Sequence, residues 1–318
     1  MGKIVFLDSF TVSTGDLPWT LFENLGDFYH YPRTNPDEIV ERSKDADIII
    51  TSKVQFNAKI LEQLPKLKYI AVIATGFNNI DLEATKIRGI PVSNVPLYCA
   101  QSVAQHVFAH ILELSNQVGY YARVNQEEKK WCSALDFAFW DNPMVELEGK
   151  TLGLIGIGNI GKKVAALGKA FDMEVIAYDP HTKDSSVAKL VDLDDIFSQS
   201  DILSIHCPLT DDTKGIINKV NLKKMKPSSF LINTSRGPLV IDDDLADALN
   251  NDVIAGAGLD VLSVEPPKVD NPLFAAKNCN LTPHLGFATI EARERLIAMT
   301  ANNIKTFMED NPQNIINK

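Results

Sequence analysis

Hydrophobic positions along the chain fall into two successions of short, nearly continuous apolar runs, each run separated from the next by a stretch with helical periodicity. The first succession places strands at residues 4–7, 47–51, 69–74 and 92–94, with helices at 37–44, 58–64 and 82–87 between them. The second places strands at 152–155, 174–179, 202–207, 230–234, 254–261 and 280–283, with helices at 160–171 and 242–251 among the connections. Runs that are apolar at successive positions, rather than at alternate ones, belong to strands buried on both faces, which is the condition of a parallel sheet covered by helices. The pattern therefore predicts an α/β chain with two doubly wound parallel sheets.

No low-complexity segment or flexible linker separates the two successions, so helices are expected to connect them. Residues 102–114, with Val103, Val107, Ile111 and Leu114 at helical spacing, supply one such connector. A final helix at 289–308 has Leu296, Ile304 and Phe307 to bury and is expected to return to the first sheet. The predicted organisation is discontinuous, with residues 1–98 and 288–318 in one domain and residues 99–287 in the other. Residues 120–150 fit neither pattern. Charged Gln126-Glu-Glu-Lys-Lys130 is followed by Trp131, Phe137, Phe139 and Trp140, which reads either as an arm packing on a second subunit or as a local satellite core.

A chain of 318 residues has room for about two domains with full cores. Its 31 basic and 41 acidic residues give a net charge of −10 with no basic block, which argues against nucleic acid or an anionic membrane as a partner. No apolar run approaches the length of a membrane span, and the first residues lead directly into a strand, so a cytoplasmic protein is expected. Cys99, Cys132, Cys207 and Cys279 are scattered without a C-x-x-C pair, so neither a disulfide framework nor a metal site is expected.

The chemistry enters at residues 151–161, where an apolar strand runs straight into Gly156-x-Gly158-x-x-Gly161. Gly156 permits a tight turn, Gly158 lets the backbone approach a pyrophosphate, and Gly161 lets the following helix pack on the sheet. The helix then offers its N–H groups and positive dipole end to phosphate. Asp179 closes the next apolar run, where it would accept hydrogen bonds from the ribose hydroxyls of NAD and repel the 2′-phosphate of NADP. Both sheets are thus expected to be doubly wound, of Rossmann-like or flavodoxin-like type, with the glycine motif making residues 99–287 an NAD-binding Rossmann domain.

Among the six histidines, His106 and His110 on the connecting helix, His206 at a strand end, and His30 and His181 in loops read as structural. His284 differs, because it follows Thr282-Pro283 at the carboxyl end of a strand, where open α/β sheets bind ligands. Arg236 also follows a strand and is suited to hold a carboxylate bidentately. Glu265 is placed to orient an imidazole.

Taken in order, the glycine motif, Asp179, Asn233-Thr-Ser-Arg236-Gly237, Ala257-Gly-Leu-Asp260-Val, Glu265-Pro and Thr282-Pro-His284 resemble the D-isomer-specific 2-hydroxyacid dehydrogenases over essentially the whole chain. Val72-Ile-Ala-Thr-Gly76-Phe-Asn-Asn-Ile-Asp81, Asn94-Val-Pro, Ser102-Val-Ala-Gln-His106 and Ser133-Ala-Leu-Asp-Phe are most similar to the glycerate dehydrogenase, or hydroxypyruvate reductase, branch. The resemblance implies an NAD-dependent enzyme, a homodimer, that interconverts a 2-oxo acid and a D-2-hydroxy acid at a site between its domains. It implies His284 as the proton donor and acceptor, Glu265 as its hydrogen-bond partner favouring the imidazolium, and Arg236 as the group that grips the 2-oxo acid. It further implies cofactor contacts at Gly156, Gly158, Asn159, Ile160, Gly161, Asp179, Cys207, Pro208 and Thr234, with Asp260 at the nicotinamide carboxamide. The substrate carboxylate is expected near Thr75 and Gly76, with Lys53 adding charge. Alternatives on the same fold are a dehydrogenase for another D-2-hydroxy acid, of phosphoglycerate or lactate type, and an NAD-sensing, corepressor-like binding protein. A pure binder has no need of the Arg236, Glu265 and His284 set, and a phosphorylated substrate would ask for extra basic residues.

Overall fold

The computed structural model describes residues 2–183 and 185–318, and its chain divides into two units. One combines the segment ending at Cys99 with Phe287–Lys318, and the other is Ala100–Gly286.

The first unit contains strands β1 (Lys3–Phe6), β2 (Asp27–His30), β3 (Ile48–Thr51), β4 (Tyr69–Val72) and β5 (Val92–Ser93), with helices α1 (Thr20–Glu23), α2 (Ile39–Ser43), α3 (Ala58–Glu62) and α4 (Leu82–Ile87) between them. All pairs are parallel, in the order β2-β1-β3-β4-β5. Because successive strand residues point to opposite faces, alternate side chains sort into two cores. Ile4, Phe6, Ile48, Ile50 and Tyr69 enter one, while Val5, Ile49, Ile70 and Val72 enter the other. The helix Ile290–Met308 starts where the Thr289 side chain accepts the Ala292 N–H, and it delivers Leu296, Ile297 and Ile304 to the first of these cores. Phe307 stacks on Tyr69 at 4.2 Å between ring centroids.

The second unit opens with α5 (Ala100–Asn116) and α6 (Val118–Glu127). Its strands are β6 (Thr151–Ile155), β7 (Glu174–Tyr178), β8 (Lys189–Leu190), β9 (Ile202–Ile205), β10 (Phe230–Asn233), β11 (Gly256–Leu259) and β12 (Cys279–Leu281), and helices α7 (Asn159–Ala170), α8 (Leu193–Gln199), α9 (Lys219–Leu222) and α10 (Asp242–Asn250) lie between them. The strands form a seven-stranded sheet in the order β12-β11-β10-β9-β6-β7-β8. The chain runs outward from β6 to β8 and then returns to place β9 on the other side of β6. That reversal opens a crevice between the carboxyl ends of β6 and β9, the place where such sheets bind ligands.

Two strands have no counterpart in the hydrophobic pattern. β2 and β8 are edge strands with few buried positions, so neither carries an apolar run. His30 accordingly closes β2 rather than lying in a loop. Between residues 120 and 150 the chain is α6, a short turn of 3-10 helix and irregular segments, with Trp131, Phe137 and Trp140 exposed by 58, 91 and 69%.

Candidate active site

Gly156 turns the chain out of β6 with φ of 93°, a conformation that side chains disfavour. A Cβ at this position would lie 2.7 Å from the Cys207 nitrogen and 2.8 Å from the His206 carbonyl carbon, so the glycine loop rests directly on the residues after β9. Gly158 caps α7, whose first residues are Asn159, Ile160 and Gly161. A Cβ on Gly158 would meet nothing within 4 Å. Internal packing gives no reason for a glycine there, whereas a phosphate drawn against the N–H groups of the helix start does.

Asp179 follows β7, its carboxylate accepting the Ile157 N–H at 3.0 Å and the His181 N–H at 2.9 Å. Burial acts to raise its pKa, but these bonds and the neighbouring His181 ring hold it below the ordinary carboxylate range. An anion beside the glycine loop suits ribose hydroxyls and opposes a 2′-phosphate. Burial, with Asp179 nearby, pushes the Cys207 thiol up to about 11, so it is a neutral wall and not a nucleophile. Pro208 follows, its carbonyl accepting the Thr213 hydroxyl. At the ends of β9 and β10, His206 Nδ1 and Thr234 Oγ1 are buried with no hydrogen-bond partner among the described residues. Unmet polar atoms beside a glycine cradle fit a polar dinucleotide.

His284 lies three residues beyond β12, in a turn where it adopts φ of 55°. Its Nδ1 is 2.7 Å from Glu265 Oε2, and Glu265 Oε1 accepts the Leu262 N–H at 3.3 Å. A carboxylate at Nδ1 requires a proton on that nitrogen, which assigns proton exchange with a substrate to Nε2. Arg236 is exposed, its Nη1 donating to the Ser235 carbonyl at 2.7 Å. Asn233 braces the loop by donating to the Arg236 carbonyl and accepting the Ser235 N–H, both at 3.0 Å. A Cβ on Gly237 would overlap the Leu262 carbonyl, so the Arg236 loop abuts the segment that carries Glu265.

Asp260 is 2% exposed. Its carboxylate accepts the Thr282 hydroxyl at 2.6 Å, the Leu285 and Gly286 N–H groups at 2.7 Å each, and His106 Nε2 at 3.1 Å. Burial acts to raise its pKa, yet these bonds outweigh burial and hold it below the usual range. The geometry thus ties Asp260 to the His284 turn. His106 and His110, read from sequence as structural, both reach this cluster, and the signal for it in the sequence is the spacing of Ser102, His106 and His110 at every fourth position of α5.

Lys53, Thr75 and Gly76 belong to the first unit, beyond the carboxyl ends of β3 and β4. The buried Asp8 carboxylate accepts the N–H groups of Ser52, Lys53 and Val54 and so shapes the Lys53 loop. Thr75 Oγ1 donates to the Val95 carbonyl at 2.8 Å, and the Thr75 carbonyl accepts from Asn94.

Residues 108–286 match the family model for "D-isomer specific 2-hydroxyacid dehydrogenase, NAD binding domain". The chain is 43% identical to the hydroxypyruvate reductase of Blautia hydrogenotrophica over 99% of its own length and 100% of that protein. It is 40% identical to the glycerate dehydrogenase of Methylorubrum extorquens, covering 99% of this chain and 98% of the other. Among solved structures, the NAD complexed form of a D-isomer specific 2-hydroxyacid dehydrogenase from Lactobacillus delbrueckii ssp. bulgaricus aligns with a TM-score of 0.81 at 26% identity, over 99% of this chain and 100% of that one.

Proposed function

The chain belongs to the D-isomer specific 2-hydroxyacid dehydrogenases, and from that premise we propose that hydroxypyruvate and D-glycerate are its substrate pair and that Arg236, Glu265 and His284 carry the reaction. It is an NAD-dependent oxidoreductase interconverting 2-oxo acids and D-2-hydroxy acids. NAD, when bound, supplies or takes the hydride exchanged with C2 of the substrate. His284 Nε2 gives a proton to the C2 oxygen during reduction and takes it back during oxidation. Glu265 holds the ring at Nδ1 and compensates the positive charge of the protonated imidazole. Arg236 binds the substrate carboxylate and polarises the adjacent carbonyl, with the Thr75-Gly76 backbone and Lys53 as further contacts to the carboxylate. The glycine loop, Asp179, Thr234 and the Cys207-Pro208 segment hold the dinucleotide.

The single observation that carries this reading is the His284 to Glu265 bond of 2.7 Å, because a binding protein needs no oriented proton donor. The names of the relatives carry the choice of substrate. Exposed Trp131, Phe137 and Trp140 support an arm that covers a second copy of the chain in a homodimer. Among the described residues no helix is long and apolar enough to cross a membrane, and the reading is of a cytoplasmic enzyme.

The test compares wild type with His284→Ala and Arg236→Ala in NADH-dependent reduction of hydroxypyruvate. His284→Ala is expected to lower kcat by about 10² or more, the usual scale for a lost general acid, with KM little changed. Arg236→Ala is expected to raise KM and lower kcat together. Near-wild-type turnover by His284→Ala refutes the assignment.

A further inference from the structure

Helix α5 carries Ser102, His106 and His110 four residues apart, a polar stripe beside the buried Val103, Val107 and Ile111. All three reach the segment around His284. Ser102 Oγ donates to the Gly286 carbonyl at 2.5 Å, His106 Nε2 lies 2.9 Å from Thr282 Oγ1, and His110 Nε2 lies 3.1 Å from the same oxygen. β11 makes room for this arrangement at Gly258, where a Cβ would stand 2.7 Å from the His110 side chain.

The proton count fixes the direction of every bond. The Thr282 hydroxyl has one hydrogen, and its bond to the Asp260 carboxylate, at 2.6 Å, takes it. His110 must then donate from Nε2 to an oxygen that can only accept from it, and the single Nε2 hydrogen of His106 is shared between Thr282 Oγ1 at 2.9 Å and Asp260 Oδ1 at 3.1 Å. Burial first, and then the neighbouring His106, push His110 down to about 4, so it is a neutral donor at ordinary pH. His106, His110 and Asp260 also form a set of three potential metal ligands. Thr282 Oγ1 stands between those ligand atoms at hydrogen-bond distances, whereas an ion would need roughly 2.0–2.2 Å to each of them. The hydroxyl fills the place an ion would take, and the cluster is a hydrogen-bond network.

The network converges on the backbone that presents His284. The His284 N–H donates to the carbonyls of Asp260 and Thr282, and the Asp260 carboxylate accepts the next two N–H groups. A histidine at φ of 55° persists only where its surroundings over-determine it. We propose that the Thr282 hydroxyl, aimed by His106 and His110, is a positioning group for proton transfer at His284, acting through Asp260. The proposal rests on the reading of His284 as the proton-exchanging residue.

The experiment measures NADH-dependent reduction of hydroxypyruvate, together with melting temperature, for Thr282→Val, Thr282→Ser, His110→Leu, the Thr282→Val/His110→Leu double variant and His284→Ala. Thr282→Val is expected to lose about tenfold or more in kcat, since small misplacements of a reacting group are costly. Its KM for hydroxypyruvate should stay within about twofold, Arg236 lying in the loop after another strand, β10. Thr282→Ser, which keeps the hydroxyl, should recover most of the loss. Thr282→Val also strands a buried His110 donor, so its melting temperature should fall. Replacing both partners by apolar groups should restore that temperature, because no donor is then left unmet, while kcat stays low. A double variant that regains both stability and wild-type kcat overturns the proposal and makes the hydroxyl merely structural. Full kcat in Thr282→Val overturns it directly, and full turnover in His284→Ala removes the reading beneath it.

Discussion

His110 gives a quantitative handle on how acid affects the second unit. It is 4% exposed, and burial with the nearby His106 pushes it down to about 4, against the weaker opposing pull of Asp260. In the unfolded chain a histidine titrates near 6.5. Between those values the unfolded state holds a proton that the folded state refuses. Stability is therefore fully present above about 6.5, falls as pH drops through the window, and loses nothing further from this group below about 4. One proton corresponds to about 1.4 kcal/mol per pH unit, or on the order of 3 kcal/mol across the window. That is a sizeable share of the roughly 5–15 kcal/mol that holds a typical domain together. His110→Gln removes the titration and keeps an N–H donor for Thr282. Urea unfolding followed by circular dichroism between pH 7 and 4.5 gives stability against pH for both proteins, and the variant should show a slope shallower by about 1.4 kcal/mol per unit. The comparison uses slopes, so a uniform loss of stability in the variant does not disturb it. Identical slopes would mean that His110 takes up its proton in the folded chain as readily as in the unfolded one, and the argument that burial keeps it neutral would be wrong.

Glu265→Gln removes the carboxylate that holds the His284 ring at Nδ1, so kcat for reduction should fall by about tenfold or more with KM for hydroxypyruvate little changed; an unchanged kcat reduces Glu265 to a structural role. Asp179 should make kcat/KM with NADH exceed that with NADPH by about tenfold or more, near 1.4 kcal/mol, and Asp179→Ala should narrow the gap; equal use of both cofactors by wild type contradicts the ribose assignment. Ending the chain at Thr289 removes the burial of Leu296, Ile297 and Ile304, each worth about 1.5–3 kcal/mol, so the first unit should lose its cooperative melting transition; unchanged calorimetry refutes the packing argument.

The parts of this fold that could be read from sequence were those in which every residue of a strand is buried. β3, β4, β9 and β10 are buried at all positions and announce themselves as apolar runs. β2 and β8 escaped because an edge strand is held by backbone pairing to one neighbour and needs no apolar run. The glycine loop was legible for a similar reason, since Gly156 is demanded by its backbone conformation and by the approach of Cys207. Glu265 was legible as a carboxylate shortly after a strand end, but its bond to His284 spans 19 residues and depends on two loops meeting. The Thr282 cluster joins residues more than 150 positions apart, and only the fourfold spacing along α5 hinted that two apparently buried histidines shared a task.

The most direct test of the central claim is the reduction of hydroxypyruvate and of pyruvate by the purified protein with NADH, with the chirality of the product determined. A site built to hydrogen-bond the substrate hydroxyl rejects the analogue lacking it, because its buried polar groups go unpaired. The account predicts D-glycerate as the product and kcat/KM for hydroxypyruvate above that for pyruvate by about tenfold or more. Formation of L-glycerate, or pyruvate turned over as efficiently as hydroxypyruvate, would contradict it.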